Sequence, residues 1–471
     1  MRILKNIAKI LCVASLALVL AAASYAQTLK LPPHEKVVLK NGLTLLLMEK
    51  HGVPIVSFHA IVKAGSAADP ADQAGLAGIA AGLLRKGTQK RTAQQFASDL
   101  DFIGGSFDAG SDVDYTTISA EFLTKDLDRG LDLFGDAVLH PSFPQAEVDK
   151  LLAQSIDGVK AAKDQADAVI FNYYEGYLYG THPYGRPGGD ELSLKKIQRD
   201  AILKFYQAYY VPSNTILAVA GEFNSAELKK KLEDAFGAWP AKAAPAVNIP
   251  ATTAVKGKRL LLVDKPDATQ TYFVIGNVGV TANDPDRVAI RVVNTAFGGT
   301  FASLLNTALR IDSGYTYGAN SFFQNQKAAG PFAIYSFTKN ETTVPAIDLA
   351  LKVLDDFHKN GLTATQLDTA KKYIKGQFPP RMETSGQLAA RIAVSEFYGL
   401  DDNEINLLES RIDAVTLESA KQAIEKHFPK ENLVFVLIGK ALEIGPAVKK
   451  YAEKQDERKI SDPGFWPPPA K

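Results

Sequence analysis

The 471-residue chain holds one cysteine, Cys12, and seven histidines, and it carries almost no excess charge: 53 basic side chains stand against 52 acidic ones. A balance this even gives a phosphate backbone nothing to hold, which removes nucleic acid from the partners to consider. Past the N-terminal leader, no stretch reaches the roughly 18 uninterrupted apolar residues that a membrane helix requires. With 46% apolar and 22% charged residues, the composition excludes wholesale disorder. At roughly 100 to 200 residues per domain, the length suggests two to four domains.

Residues 1–26 begin with Arg2, Lys5 and Lys9, run apolar from Ile10 to Ala23 and end Ser24-Tyr25-Ala26. This is the layout of a secretory signal peptide with cleavage before Gln27. The alternative is a membrane anchor, for which the apolar run is short. Removal of the segment takes away three basic residues and no acid, leaving a slightly acidic mature chain. It also takes Cys12, so the mature protein has no thiolate to serve as nucleophile or metal ligand. The expected destination is a bacterial periplasm.

What the rest of the sequence contains is a repeat. A strand-like run from Ser57 to Val62 leads to Asp69-Pro70, and a second from Tyr272 to Val278 leads to Asp284-Pro285. Tyr209, Pro212 and Asn214 precede the apolar run Ile216 to Gly221, just as His427, Pro429 and Asn432 precede Leu433 to Gly439. The spacing between the two sets stays near 216 throughout, as roughly constant offsets in a duplicated domain should. Asn41-Gly42 marks a hairpin, Ser106 to Ser111 and Tyr115 to Phe122 form a second one, and three long helices are expected over Thr124–Leu139, Gln145–Lys163 and Leu194–Tyr209. The fold class is therefore α+β: two homologous domains, each a mainly antiparallel sheet with helices packed on it. The boundaries are a leader over 1–26, a first domain over 27–240, a linker over 241–257, a second domain over 258–451 and an extended tail over 452–471, in which Phe465 and Trp466 are available for docking.

The first half carries the frame Gly75-Leu76-Ala77-Gly78-Ile79-Ala80-Ala81-Gly82-Leu83-Leu84-Arg85-Lys86-Gly87-Thr88, then Arg91-Thr92. It resembles the inverted zinc-peptidase helix of the pitrilysin (insulinase-like) family, where Gly-Leu-Ala precedes HxxEH and Gly-Thr and Arg-Thr follow. In that motif two histidines four apart on one helical face bind zinc, the glutamate beside the second takes a proton from the bound water, and a distal glutamate completes the ligand set. Here those helix positions are Gly78, Ala81 and Gly82. The distal position falls near Asp157-Gly158, where no glutamate stands. The histidines are scattered, no two within five residues of each other, so a metal would need distant ones brought together. His182, in Thr181-His182-Pro183-Tyr184-Gly185, reads as a hydrogen-bonded structural residue. Tyr173, Tyr174, Tyr177 and Tyr179, with Phe205, Tyr206, Tyr209 and Tyr210, fall at spacings by which a helix packs a core. No Gly-x-Ser-x-Gly elbow occurs, and Gly298-Gly299-Thr300 lacks the Lys-Ser/Thr of a phosphate loop.

The second half reads Phe297-Gly298-Gly299-Thr300-Phe301, then Leu309-Arg310-Ile311-Asp312-Ser313-Gly314-Tyr315-Thr316-Tyr317-Gly318. The expectation is a glycine-rich loop, a short helix ending at Arg310 to Ser313, and a strand with Tyr315 and Tyr317 on one face. The stretch is similar to the C-terminal signature of the same family, whose arginine falls on Arg310 and whose tyrosine falls on Tyr317; Ile311 stands where the family often has an acid. The resemblance, over about 31–448, implies that Arg310 and Tyr317 bind substrate across a clam-shell chamber from a zinc helix. It also implies a partner, since the family includes pairs in which one subunit carries HxxEH and the other the Arg/Tyr pair. The expected role is the substrate-binding, non-zinc subunit of a periplasmic heterodimeric zinc endopeptidase, with no metal or catalytic residue in this chain and the zinc in an HxxEH-bearing partner. The alternative is a peptide-binding or structural scaffold with no hydrolytic role.

Overall fold

The computed structural model describes residues 30–186 and 188–465; the leader with Cys12, and Trp466 with the prolines after it, lie outside this range. Two six-stranded sheets are formed. The first comprises β1 (Glu35–Val38), β2 (Thr44–Glu49), β3 (Ile55–Val62), β4 (Ser106–Ser111), β5 (Thr116–Leu123) and β6 (Thr215–Gly221), in the order β1-β2-β6-β3-β5-β4. The second comprises β7 (Arg259–Asp264), β8 (Gln270–Val278), β9 (Ala319–Phe323), β10 (Pro331–Lys339), β11 (Val434–Gly439) and β12 (Lys454–Lys459), in the order β12-β7-β11-β8-β10-β9. From the second position on the two orders are identical, so the duplication read from the sequence is a duplication of topology. Both sheets are mixed: β2 runs parallel to β6, and β7 runs parallel to both β11 and β12, while the remaining pairs are antiparallel.

The sixth strand differs between the halves. In the first, β1 arrives by the hairpin at Asn41-Gly42, where Leu39 N donates to Leu43 O and Gly42 takes φ +95°, a conformation that glycine adopts freely. In the second, β12 comes from the end of the chain. The stretch expected as a tail is extended, but it is built into the sheet instead of trailing from it. The open edge of β7 supplies hydrogen-bond partners to β12, Ile460 and Phe465 are buried, and the Phe465 ring meets Tyr173 edge-on at 5.1 Å.

The helices expected over 124–139 and 145–163 are present as Leu127–Leu139 and Gln145–Ala162. The third is shorter than expected, Arg199–Tyr209, because Gln198 is extended and separates it from the single turn Glu191–Leu194. A fourth long helix, Ala166–Tyr179, holds the tyrosine cluster. Its counterpart in the second half is Ser385–Tyr398.

These two helices are exchanged. Ala166–Tyr179 seats Val169, Ile170, Tyr173, Tyr174 and Tyr177 against Leu261, Val263, Val274, Val434, Val436 and Ile438 of the second sheet. Ser385–Tyr398 seats Leu388, Ala389, Ile392 and Ala393 against Leu46, Met48, Ile61, Ile216, Ala218 and Ala220 of the first. Each central strand is thereby covered on both faces, its own half's helices on one side and the borrowed helix on the other. That is why β6 and β11 are buried along their whole length and read as continuous apolar runs. Hydroxyls lock the aromatic helix in place: Tyr174 Oη donates to Phe332 O at 2.7 Å and Tyr177 Oη to Asp456 at 2.7 Å. The linker residues 241–257 form neither helix nor strand.

Candidate functional site

The frame around Gly78 is held by backbone demands, not by chemistry at the motif positions. Asp69 accepts the amides of Gly75 (2.8 Å) and Ala77 (2.9 Å), which satisfies donors at the start of the Leu76–Gly82 helix. Burial outweighs those bonds and raises the Asp69 carboxyl to about 7. Gly75 has φ +98°, and a Cβ there would stand 2.9 Å from Gly188 O. Thr88 and Arg91, the Gly-Thr and Arg-Thr members of the frame, both bind Asp136, at 2.6 and 2.8 Å; Arg91 also binds Asp99 and Asp132. Thr92 caps the next helix in a capping box with Gln95. All of this serves the fold.

The motif positions offer nothing to a metal. Gly78 is exposed, with open space where a Cβ would go; Ala81 is 1% exposed; a Cβ on Gly82 would meet Leu151 Cδ2 at 3.2 Å. Leu151 belongs to Gln145–Ala162, the helix on which the family's distal glutamate falls. On that helix Asp157 is exposed and pairs with Lys160 at 3.0 Å. No donor atom stands on this face, so the residues present do not fit zinc.

The histidines have other work. His182 Nδ1 accepts the Tyr184 amide at 3.1 Å, which leaves Nε2 to donate to Pro250 O at 3.0 Å, so this ring ties the linker to the first half. Burial depresses His59, on β3, to about 4 and keeps it neutral. Among the described residues one grouping has the composition of a cation site, Asp284, Asp286 and His427, with atoms within 4.8 Å of one another. Asp286 already holds Lys426 Nζ at 2.7 Å and His427 Nε2 at 2.8 Å, so its charge is spent on those partners.

The second half differs in kind. After Phe297 a single helical turn, Leu304–Asn306, opens into a π-helical segment, Thr307–Asp312, that carries Arg310. The segment ends at Gly314, and the amides of Tyr315 and Thr316 both turn back to Leu309 O. Those donors are therefore not available to a sheet, and β9 begins only at Ala319. Tyr315 and Tyr317 thus precede the strand and do not share a face, contrary to the sequence expectation. Tyr315 packs against the core of the second half, whereas Tyr317 is 77% exposed. Arg310 Nη1 donates to the Tyr317 carbonyl at 2.8 Å, and its guanidinium stacks on Phe301, 4.7 Å from the ring centroid. Among the described residues no carboxylate lies within 4.0 Å of Arg310. The motif is thus one unit, with an arginine lacking a counter-ion tied to an outward tyrosine. Phe301 and Ile311 beside it are also exposed. Phe301 forms one wall of a groove of about 760 Å³ that continues along Thr307, Val353, Phe357 and Tyr373. Sequence reasoning singled out Arg310 and Tyr317 as candidates but gave no sign of the groove, whose far wall comes from residues dozens of positions away.

This architecture, two repeated sheets with exchanged helices, is that of a known class of two-domain peptidase-like chains. A crystal structure of a peptidase M16 inactive domain from Pseudomonas fluorescens superposes with a TM-score of 0.82 at 25% identity, covering 86% of this chain and 98% of that one. A protease from Helicobacter pylori gives 0.76 at 21% identity, covering 87% and 100%. Residues 44–188 match the family model described as insulinase (peptidase family M16), and residues 196–374 match that of the peptidase M16 inactive domain. Relatives include the uncharacterised zinc protease YmxG of Bacillus subtilis, 23% identical over 84% of this chain and 96% of that protein. An uncharacterised zinc protease of Mycobacterium leprae is 26% identical over 83% of this chain and 90% of its own length. The chain belongs to the insulinase (M16) peptidase family.

Proposed function

We propose that this chain is the substrate-binding, non-zinc subunit of a heterodimeric zinc endopeptidase that acts on peptides or unfolded segments in the periplasm. The observation that carries the reading is the contrast within one fold: the zinc-helix positions hold Gly78, Ala81 and Gly82, while Arg310 is joined to an outward Tyr317 beside an apolar groove. A guanidinium and a phenol both donate hydrogen bonds to a peptide carbonyl and to the charge that develops on it as it is attacked. The groove offers apolar side chains a place to lie, so that binding energy positions the peptide backbone at the Arg/Tyr pair. Zinc, its ligands and the general base belong to an HxxEH-bearing partner. Residues 1–26 direct export, and no described helix is long and apolar enough to cross a membrane.

Peptide cleavage by the purified chain, by the chain with an HxxEH-bearing partner, and by that pair carrying Arg310→Ala or Tyr317→Phe tests this reading. The expected pattern is no cleavage alone, cleavage with the partner, and about a 100-fold loss in kcat/KM for Arg310→Ala, the size of a removed oxyanion donor. Cleavage by the chain alone with stoichiometric zinc would overturn it. Full activity in both variants would reduce the subunit to a scaffold.

A further inference from the structure

Behind the groove, sharing Thr295 and Tyr373 with it, lies a second cavity of about 400 Å³. Its charged lining is one-sided. Four guanidiniums, those of Arg287, Arg291, Arg381 and Arg391, face a single carboxylate, Glu404. That carboxylate is already taken: Arg287 donates to both its oxygens, and Arg411 donates to Oε2 from outside the cavity at 2.9 Å. Arg291, Arg381 and Arg391 are left without a hydrogen bond or ion pair to their guanidinium groups among the described residues. Nε of Arg391 is buried with no partner at all. Burial pushes Arg291 and Arg391 below the ordinary arginine range; the charge of Glu404 opposes the shift at both, and neighbouring guanidiniums, Arg381 among them, add to it. Arginine stays protonated even so, and therefore three like charges converge on one cavity whose single carboxylate, Glu404, is hydrogen-bonded to Arg287 and Arg411 instead.

The arrangement is unfavourable for an empty fold. Arg381 is exposed, while Arg291 and Arg391 are partly buried, so the two inner guanidiniums, the Nε of Arg391 above all, lose water without gaining a hydrogen-bond partner. Three elements distant in sequence contribute the set: Arg287–Phe297 supplies Arg291, the turn at Pro379–Met382 supplies Arg381, and the exchanged helix Ser385–Tyr398 supplies Arg391. Around them Asn325, Gln377 and Ser395 add polar groups, while Ile290, Phe322 and Val394 form apolar walls. Forked donors approaching from several directions onto a confined volume match a compact oxyanion.

We propose that this cavity binds a small oxyanion, a phosphate group or a free carboxylate such as a peptide C-terminus, through Arg291, Arg381 and Arg391. The site is separate from Arg310 and Tyr317, and its test reads ligand binding instead of proteolysis, so the two readings fail independently. Titration calorimetry and thermal denaturation of the mature chain, at fixed ionic strength in chloride, compare inorganic phosphate, a short peptide with a free C-terminal carboxylate, and the same peptide as its amide. The expected result is one saturable site for phosphate or for the free-acid peptide, the responding probe identifying the source. In Arg291→Met and Arg391→Met, dissociation constants rise at least tenfold, while the ligand-free thermal midpoint stays the same or rises. Arg129→Met, a surface arginine over Phe102, leaves binding unchanged. Absence of saturable binding by any probe overturns the proposal, as does binding that both cavity variants retain or that is equally strong for the amide alone.

Discussion

The Leu76–Gly82 helix and the Thr307–Tyr317 segment carry the two motifs by which the sequence resembles its family, and they differ in kind. The helix has the surroundings without the donors: Asp69, Thr88 and Arg91 hold the frame, while Gly78, Ala81 and Gly82 carry no ligand side chain and Ala81 is buried. The segment kept its donors in an irregular backbone that needs a π-helical turn and Gly314 to present them. A frame that supports nothing persists because the frame also carries the core. Tyr317, 77% exposed, and the half-buried Arg310 tied to its carbonyl contribute little to the core.

Four substitutions sharpen or break that contrast. The largest expected effect is from Ala81→Glu, which restores the acidic residue of the family motif at a position only 1% exposed. Without the rest of a metal site, the buried carboxylate should destabilise the fold by about 3 kcal/mol or more, read as a lower denaturation midpoint. An unchanged midpoint would mean the helix face is still open, as a metal site would be.

Next comes Glu175, on the exchanged helix, where burial raises the carboxyl to about 7 and Gln324 Nε2 donates to it at 3.0 Å. A carboxyl that keeps its proton in the fold but loses it in the unfolded chain makes stability fall as pH rises from about 4.5 to about 7. Glu175→Gln keeps the acceptor and removes the titration, so its stability relative to the wild type should increase by about 3 kcal/mol between pH 4.5 and 8. A difference that stays constant across that range would show the seam between the halves to be insensitive to this group.

Smaller still is Gly78→Ala, which fills open space in a helix interior and should stabilise the chain by about 0.5–1 kcal/mol in thermal melts. That gain is opposite in sign to the loss at Ala81, three residues away. The smallest is Tyr317→Ala. With the side chain 77% exposed, its effect on the midpoint should stay within about 0.5 kcal/mol. A larger loss would make Tyr317 a structural residue and remove one arm of the comparison.

Much of this was legible along the chain because it is local. The Asn41-Gly42 turn, the β4–β5 hairpin, the glycine frame and the constant offset between halves all express themselves within short windows or by simple translation. What was not legible is what distant segments build together. Nothing near Tyr173 announces that its partner surface is Val434 and Val436, since a helix with a buried apolar face has the same pattern whichever sheet it covers. Tyr317 was placed on a strand because its alternation with Tyr315 is that of a strand, and the signal lost was that Leu309 O takes two amides. The cavity arginines show only one hint, Arg287 and Arg291 four apart; Arg381 and Arg391 join them through tertiary packing alone. The C-terminal stretch reads as polar and charged because β12 is an edge strand whose side chains largely face water, although one edge of its backbone pairs with β7 along its whole length.

The exchanged helices also decide which motions this chain can make. Each half has lent the other a whole buried layer, so pulling the halves apart would strip an apolar face from both sheets at once, and a nick in the 241–257 connection would leave them clasped. The first sheet cannot be sealed until synthesis has passed Tyr398, so the polypeptide matures as one cooperative body and not as two beads in sequence. A molecule fastened in this way does not open like a hinge along its own repeat.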